Sequence, residues 1–211
     1  IGANLGLFTL TVNANKAIKK SYLIEPNFLL NNDLKTNLKV FKFNKYKIIN
    51  KSITDKKEKK SSLFLPNKNN SFHAAQGSLT EWSQIFANRI SSSSKNKMRS
   101  EATTYDKLEI SNIGGDQLIK KEKIKKLDFV KIDVEGSELN VLRSMFNSIT
   151  NLKPIVYIEI TDDTQRKIKV ITDLFKSYGK LFMLEKNKLK IIKRKLNLTQ
   201  CSHFYLLSNS Y

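Results

Sequence analysis

Two carboxylates one residue apart stand at the end of an apolar run in KIDVEGSEL, residues 131–139. Alternate residues of a β-strand face the same side and each adds about 3.3 Å, so Asp133 and Glu135 are expected on one face, roughly 7 Å apart. A carboxylate at the end of a buried strand needs a partner to offset its desolvation, and Lys131 can supply it. Such carboxylates can act as general bases. The stretch therefore predicts a reaction centre, with Asp133 as the first choice of base and Glu135 as the second.

Two further acids accompany this pair. Glu138 falls in the first turn of a predicted helix, where the helix dipole explains a negative charge. Glu159 ends the next apolar run, PIVYIEI, on a neighbouring predicted strand. Together with Asp133 and Glu135, it can form an acidic floor that orients an acceptor hydroxyl or holds a cation. A divalent metal fits that chemistry but is unsupported, because the chain has only two His and one Cys and shows no zinc-type spacing.

A glycine-containing turn opens the chain as IGANLG, ahead of a helix predicted from about Leu5. Gly2 and Gly6 allow a tight turn, and the amides that follow can bind an anionic or polar group. The spacing is not the G-x-G-x-x-G of dinucleotide enzymes, which disfavours a nicotinamide cofactor. Glu25 ends the next predicted strand at about the 20-residue separation expected for an acid that binds ribose hydroxyls. The alternative for Glu25 is a solvated acid at a strand end.

These residues depend on alternating strands and helices for their positions. Apolar runs predict strands at residues 21–25, 46–53, 61–65, 128–134, 154–160, 180–185 and 202–208. Helical spacing predicts helices at residues 27–41, 137–146 and 161–179, the last ending at Gly179. The stretch that follows TTYDKL, up to Lys126, is interpreted as basic and exposed. This alternation predicts an α/β fold with a mostly parallel sheet and helices on both faces, in which ligands bind beyond the carboxyl ends of the strands.

The segment 66–102 interrupts the alternation. It surrounds one predicted short helix, whose capping box is Ser78 with Glu81. A long irregular segment in a compact domain is typical of a substrate-side insertion or lid, and disorder is the plain alternative. His73 is a third choice of base and Trp82 a platform for a sugar ring, although an exposed histidine and a core tryptophan are the simpler interpretations.

The composition suits one soluble domain over residues 1–211, with 40% hydrophobic residues and no apolar run near the roughly 20 residues of a membrane span. The formal charge of +19 suggests nucleic acid, but only five of the 38 basic residues are Arg, which phosphate and base recognition favour. Nucleic-acid binding is therefore disfavoured. Cys201 is the single cysteine, which fits a reducing compartment and predicts a cytoplasmic location. The oligomeric state is left open.

Several motifs together resemble the FkbM-type family of S-adenosylmethionine-dependent methyltransferases. The resemblance is carried over nearly the whole chain by IGANLGLFTL, IEPN, NKSITD, TTYDKL, DFVKIDVEGSELNVL and KPIVYIE, in that order. It implies a Rossmann-like class I methyltransferase fold with a seven-stranded sheet whose last strand is antiparallel. It also implies methylation of a hydroxyl on a sugar or secondary metabolite. Because the family's glycine turn normally follows a complete strand with an acidic residue, the first strand is expected to be truncated here.

The resemblance also assigns roles to single positions. Residues implied to contact the cofactor S-adenosylmethionine are Gly2, Asn4, Gly6, Glu25, Ser52, Ile53 and Asp133. Within this set the glycine turn would hold the methionine portion, Glu25 the ribose, and Ser52 and Ile53 the adenine. Asp133 and Glu135 would lie where the methyl group meets the acceptor. Residues proposed to contact a small-molecule or carbohydrate acceptor are Glu159, Trp82 and His73.

A function of another class remains open beside the enzyme. The chain can be a catalytically idle member of the fold that binds a nucleotide-like ligand or an anionic partner through its lysine-rich surface. Phosphate binding through many lysines weakens steeply as salt rises, whereas a small-cofactor site responds little. A salt titration therefore separates the two.

Overall fold

The computed structural model describes residues 1–13, 18–68, 71–72, 104–160, 164–185, 188–192 and 202–210. The chain forms two compact units. The first comprises Ile1–Ser52 and Glu58–Asn112, and the second comprises Ile53–Lys57 and Ile113–Tyr211. That the whole chain acts as one domain stays a prediction. Among the described residues, no helix is both long enough and apolar enough to span a membrane.

The glycine turn leads into the first elements of the chain. They are α1 (Leu7–Asn13), β1 (Ser21–Ile24), a 3-10 turn (Phe28–Leu30), α2 (Asn31–Val40) and β2 (Tyr46–Ile49). β1 and β2 pair in parallel, with Leu23 opposite Ile48. α2 lies on this pair through Leu34 and Leu38, both fully buried in one cluster with Leu23 and Phe43. The helical spacing that predicts α2 is therefore the spacing of its core contacts.

A second sheet follows in the order β3-β6-β4-β5. Its strands are β3 (Ser52–Ile53), β4 (Lys60–Lys68), β5 (Ser71–Phe72) and β6 (Thr104–Ile113). β4 and β6 pair antiparallel over eight residues, and Leu63, Leu65 and Ile110 form their common core. The interpretation of the stretch after TTYDKL as basic and exposed is wrong for the end of β6, because Ile110 is buried in this core.

The second unit carries the elements downstream of β6. Its helices are α3 (Gly115–Lys121), α4 (Glu138–Ser144), α5 (Phe146–Leu152) and α6 (Thr164–Leu174). Its strands are β7 (Phe129–Ile132), β8 (Ile155–Ile160), β9 (Gly179–Glu185), β10 (Lys188–Ile191) and β11 (Ser202–Ser208). They form one sheet in the order β10-β9-β11-β8-β7. Val156, Ile158 and Ile160 on β8 are fully buried, so one face of this strand belongs to the core of the second unit.

The prediction of a single, mostly parallel sheet of seven strands is wrong. Its described strands form three sheets of two, five and four strands, and the pairing is parallel between β1 and β2 and between β7 and β8. Strands such as β9 and β10 are joined by a short connection, which permits antiparallel pairing, whereas parallel pairing needs a crossover. The α/β class is confirmed, and the last strand, β11, is antiparallel to both β8 and β9.

Gly179 begins a strand and does not end a helix as predicted. α6 ends at Leu174, and Gly179 is opposite Ser208 in the pairing of β9 with β11. A Cβ added at Gly179 would lie 1.8 Å from the carbonyl oxygen of Leu207. The glycine is therefore needed because two backbones approach closely there.

The variant Gly179→Ala is expected to lower the free energy of unfolding by about 3 kcal/mol, because β9 and β11 must separate to admit the methyl group. Denaturant unfolding followed by circular dichroism measures this loss. Gly114→Ala is the matched control, since its Cβ would meet the Cβ of Gln117 at 3.7 Å, an ordinary contact. Equal stability of the two variants would contradict the close-approach explanation.

Candidate active site

The glycine turn lies against the end of β1. The Gly2 N–H donates to the carbonyl oxygen of Ile24 at 3.0 Å. Gly2, Asn4 and Gly6 have φ angles of 75°, 50° and 82°, in the left-handed region that favours glycine. A Cβ added at Gly6 would lie 2.7 Å from Cδ1 of Leu34 on α2. The turn is therefore held closely between β1 and α2, and glycine is required at its last position.

Glu25 directly follows β1. Its carboxylate accepts hydrogen bonds both from the glycine turn and from the segment after β1. Oε2 accepts a hydrogen bond from the Asn4 N–H at 2.8 Å, and Oε1 accepts one from the Asn27 N–H at 2.9 Å. The residue is only 7% exposed, so the alternative of a solvated strand-end acid is wrong. The two main-chain N–H groups orient the carboxylate. A carboxylate has about four lone-pair positions on its two oxygens, and these donors occupy one on each oxygen.

Asn27 and Asn50 contact Glu25, and Asn31 contacts Asn50; none of the three is predicted from the sequence as a site residue. The Asn27 side chain is 1% exposed and accepts a hydrogen bond from the Leu29 N–H at 3.1 Å. Asn50 Nδ2 donates to the Glu25 carbonyl oxygen at 3.0 Å and to Asn31 Oδ1 at 2.8 Å. The signal available in the sequence is that Asn27 closely follows the predicted strand 21–25, where short polar side chains bind backbone groups. Asn50 lies inside the predicted strand 46–53, whereas the structure ends β2 at Ile49.

Asp133 is the first residue after β7, which ends at Ile132. Its Oδ2 accepts a short hydrogen bond from the ammonium group of Lys131. The side chains of Lys131 and Asp133 are 16% and 28% exposed, so the pair is partly buried yet open to solvent. The prediction that Lys131 is the partner of Asp133 is confirmed.

Glu135 does not continue the strand, so its predicted placement on one strand face with Asp133 is wrong. The backbone turns at Glu135 and Gly136, whose φ angles are 48° and 108°. The two-residue alternation of a strand requires extended backbone, and extended backbone ends before this turn. The carboxylates of Asp133 and Glu135 belong instead to the turn 133–136, which connects β7 to α4.

Glu138 has a larger structural role than the helix dipole predicts. It is fully buried, and its Oε2 lies 2.6 Å from Nζ of Lys167 on α6, which is 6% exposed. Glu138 Oε1 also accepts a hydrogen bond from the Gly136 N–H at 2.8 Å. A buried carboxylate needs such partners to offset its desolvation. The signal that sequence reasoning missed is Lys167, a lysine beside Ile168 on the buried face of α6.

Glu159 lies on the face of β8 opposite the buried Ile158 and Ile160. His203 on β11 is its register partner, and His203 Nδ1 lies 4.0 Å from Glu159 Oε2. The same Nδ1 is 2.7 Å from the hydroxyl oxygen of Tyr157, and the Tyr157 and His203 rings stack at 5.5 Å. Glu159 is thus next to a tyrosine–histidine pair to which the sequence analysis gave no role.

The pairing of β7 with β8 sets the relation between the two acidic strand ends. Ile132 is the register partner of Ile158, and each is followed by an acid, Asp133 and Glu159. The strands are parallel, so both acids lie at the carboxyl end of the pair. Among the described residues, no group of three His, Cys, Asp or Glu side chains is placed to hold a metal ion. The predicted acidic floor therefore does not provide a cation site.

The remaining predicted site residues fall in several places. Ser52 and Ile53 form β3, and their side chains are 5% and 2% exposed. His73, Trp82 and the capping box of Ser78 and Glu81 lie outside the described residues. Of the predicted insertion 66–102, the described part consists of residues 66–68 and 71–72, which belong to β4 and β5.

The predicted site residues are divided between the two units. Gly2, Asn4 and Glu25 come together in the first unit, where one hydrogen bond joins Asn4 to Glu25. Asp133 and Glu135 come together in the second unit, in one turn. The first unit thus has a polar turn beside a buried acceptor, and the second has the carboxylates of Asp133 and Glu135 in one turn. The roles predicted for these residues stay predictions.

Both the sequence and the fold are similar to those of methyltransferases. A family model described as the methyltransferase FkbM domain matches residues 1–182. Hexuronic acid methyltransferase AglP of Haloferax volcanii is 37% identical over 60 residues, which are 28% of this chain and 25% of that protein. The crystal structure of methyltransferase FkbM from Methylobacillus flagellatus KT matches with a TM-score of 0.55 at 12% identity. That match covers 97% of this chain and 41% of the crystallised one, so the chain spans well under half of each relative.

Proposed function

Because the chain belongs to the FkbM methyltransferase family, whose domain model matches residues 1–182, we propose that it transfers a methyl group from S-adenosylmethionine to a carbohydrate hydroxyl. The observation that carries the proposal is the Glu25 carboxylate, held beside the glycine turn by two main-chain amides. An acid at the end of the strand that follows a glycine turn is suited to bind the two hydroxyls of a ribose.

The residues of the first unit suit this cofactor chemically. S-adenosylmethionine has a ribose diol, which needs hydrogen-bond acceptors, and an amino-acid end, which needs polar main-chain groups. Glu25 is an oriented acceptor, and Gly2 and Gly6 let the main chain approach a ligand closely. In the proposal the turn with Asn4 holds the methionine portion, while Ser52 and Ile53 lie near the adenine. When bound, the cofactor would supply a methyl group activated by its sulfonium.

The proposed acceptor is a sugar that carries a negative charge. AglP is named for a hexuronic acid, and the net charge of +19 on this chain attracts anions. Glu159, beside Tyr157 and His203, is the proposed contact for neutral hydroxyls of that sugar. The single Cys201 supports a cytoplasmic location as part of the same proposal.

In the proposed mechanism Asp133 accepts the proton of the acceptor hydroxyl, and Glu135 is the second candidate for this role. Lys131 donates to Oδ2 of Asp133 and so orients the carboxylate, which makes Oδ1 the proposed proton acceptor. Removal of the proton makes the oxygen a better nucleophile. Holding that oxygen in line with the methyl group contributes roughly 7–11 kcal/mol to such reactions, so orientation is the larger part of the protein's task.

The variant Asp133→Asn is expected to slow methyl transfer by roughly 100-fold to 10,000-fold, the usual contribution of a positioned base. Binding of S-adenosylhomocysteine, measured by calorimetry, should weaken far less than transfer slows, because Asp133 is one of seven proposed cofactor contacts and Glu25 and the glycine turn are unaltered. Transfer is measured with radiolabelled S-adenosylmethionine and a panel of uronic acids and neutral sugars. Asp128→Asn is the matched control, since the Asp128 side chain is 74% exposed just before β7.

Two outcomes would count against these assignments. Full transfer by Asp133→Asn would remove Asp133 as the base while leaving the enzyme assignment intact. A wild-type protein that neither binds S-adenosylhomocysteine nor methylates any sugar would remove the proposed function.

A further inference from the structure

We propose that Lys167 and Glu138 are positioning residues: their buried ion pair holds the turn 133–136 in the shape that methyl transfer requires. The inference rests on the proposed function, because it assigns the pair to the turn that carries Asp133. Neither residue is proposed to touch the acceptor or the cofactor. Their contact with the site is through the main chain of Gly136.

Both main-chain polar groups of Gly136 are bound by this one ion pair. Its N–H donates to Oε1 of Glu138 at 2.8 Å, and its carbonyl oxygen accepts from Nζ of Lys167 at 3.2 Å. Oε2 of Glu138 and Nζ of Lys167 then close the ring at 2.6 Å. A peptide segment held at both its donor and its acceptor has little freedom to rotate.

The turn needs an external restraint of this kind. Glu135 has a φ of 48°, a left-handed conformation that costs a residue with a side chain roughly 1–2 kcal/mol. Such conformations persist where the surrounding structure determines them. Gly136, with a φ of 108°, is the residue next to it and the one that the pair holds. The pair therefore fixes the path of the chain between Asp133 and the start of α4.

The location of the pair supports a positioning role over a simple gain in stability. Glu138 lies in the first turn of α4 and Lys167 lies 29 residues later on α6, and both are almost completely buried. Replacing a buried ion pair by apolar residues of similar size often costs no stability. What apolar residues cannot do is hydrogen bond to Gly136. These two bonds are the specific contribution of the charged pair.

The test compares the wild type with the double variant Glu138→Gln/Lys167→Met and with Lys169→Met. The double variant leaves no unpaired buried charge. Its new glutamine side chain can still accept from the Gly136 N–H, but its new methionine side chain cannot donate to the Gly136 carbonyl oxygen. Lys169 is exposed on the same helix and is the matched control. Three quantities are measured: kcat for methyl transfer, Kd for S-adenosylhomocysteine by calorimetry, and hydrogen exchange at the Gly136 amide by NMR.

For the double variant we expect kcat to fall by about 100-fold, the effect of misplacing a reacting group by roughly 1 Å. We expect Kd to change far less than kcat, because Glu25 and the glycine turn, which make most of the proposed cofactor contacts, lie in the first unit. We expect the Gly136 amide to exchange faster, because loss of the Lys167 hydrogen bond loosens the turn. Lys169→Met should match the wild type in all three. If the double variant does not fold, Lys167→Arg serves instead: it keeps the charge but cannot reproduce the position of the ammonium group. It too should lower kcat far more than it raises Kd.

Several results would overturn the proposal. A wild-type kcat in the double variant would do so, and so would an unchanged exchange rate at Gly136, because the pair would then not hold the turn. A rise in Kd equal to the loss in kcat would indicate general damage instead of positioning. If the wild-type protein itself transfers no methyl group, the proposed function fails, and amide exchange alone decides whether the pair holds the turn.

Discussion

Replacing Glu25 by glutamine is expected to weaken the binding of S-adenosylhomocysteine by roughly a hundredfold or more, because hydrogen bonds to a charged group contribute about 1.5–3 kcal/mol each and a ribose diol makes two. The amide has nearly the same shape but presents an NH2 group, which can only donate, in place of one acceptor oxygen. That donor would face either a ribose hydroxyl or one of the main-chain amides of Asn4 and Asn27 that now bind the carboxylate. Calorimetry with the variant and the wild type measures the difference.

A control must separate loss of the ligand contact from loss of the fold. Asp33→Asn makes the same chemical change on the exposed side of α2 and should leave binding as it is. The thermal unfolding of Glu25→Gln must show that the variant is folded at the temperature of the binding experiment. Wild-type affinity in a folded Glu25→Gln variant would mean that the carboxylate only ties the glycine turn to β1 and does not bind ribose.

Breaking the buried pair from one side is expected to have the largest effect on stability. Lys167→Met should reduce the free energy of unfolding by about 3–5 kcal/mol, because it leaves the carboxylate of Glu138 buried without a counter-charge. The double variant Glu138→Gln/Lys167→Met should recover much of this loss, since no buried charge remains. Denaturant titration followed by circular dichroism measures both, and the difference between them gives the coupling of the two residues.

A surface ion pair provides the comparison. Lys60 and Glu109 lie 2.7 Å apart with side chains that are 65% and 69% exposed. Lys60→Met is expected to change the free energy of unfolding by less than about 1 kcal/mol, because solvent screens exposed pairs. If Lys167→Met lowers the free energy of unfolding no more than Lys60→Met does, the Glu138 carboxylate must contact solvent or another partner in the variant. The buried pair would then not contribute the stability assigned to it.

Strands made of continuous apolar runs could be predicted from the sequence within a residue or two. Apolar runs predict strands at residues 21–25 and 154–160, and the structure places β1 at Ser21–Ile24 and β8 at Ile155–Ile160. These runs succeed because apolar, β-branched and aromatic residues dominate them, which distinguishes them from the lysine-rich and asparagine-rich stretches around them. The division of the strands among three sheets could not be predicted, since it depends on pairing between residues distant in sequence.

Elements rich in charge were missed for a related reason. α3 and β10 lie in lysine-rich stretches. β10 alternates lysine with Leu189 and Ile191, but four residues are too few to distinguish a strand, and Leu118 and Ile119 are the only large apolar residues of α3. Gly179 is predicted to end a helix because glycine commonly stands there. Its real requirement is the nearby carbonyl oxygen of Leu207, a contact that only the folded chain creates.

In the candidate site, too, features set by neighbouring residues could be predicted, and contacts between residues distant in sequence could not. Glu25 could be identified by its position after a strand, but its hydrogen bond to Asn4 crosses 21 residues and depends on the fold. The partner of Asp133 could be predicted because Lys131 is its neighbour on the strand. Lys167 could not be identified as the partner of Glu138, because in a chain with so many lysines one more lysine carries little information. Its burial is what distinguishes it.

Lysines on the edge strand of the five-stranded sheet affect how two molecules of the protein can pair. β10 is the outermost strand, and all four of its residues are exposed, including Leu189 at 47% and Ile191 at 51%. An exposed edge strand can pair with the same edge of another molecule and so begin aggregation. Such pairing would bring Lys188 and Lys190 of both molecules together, and like charges facing each other across strands are destabilising. The lysines of β10, of which Lys190 is paired with Glu185, therefore disfavour this edge-to-edge pairing, and the effect weakens as salt screens their charge.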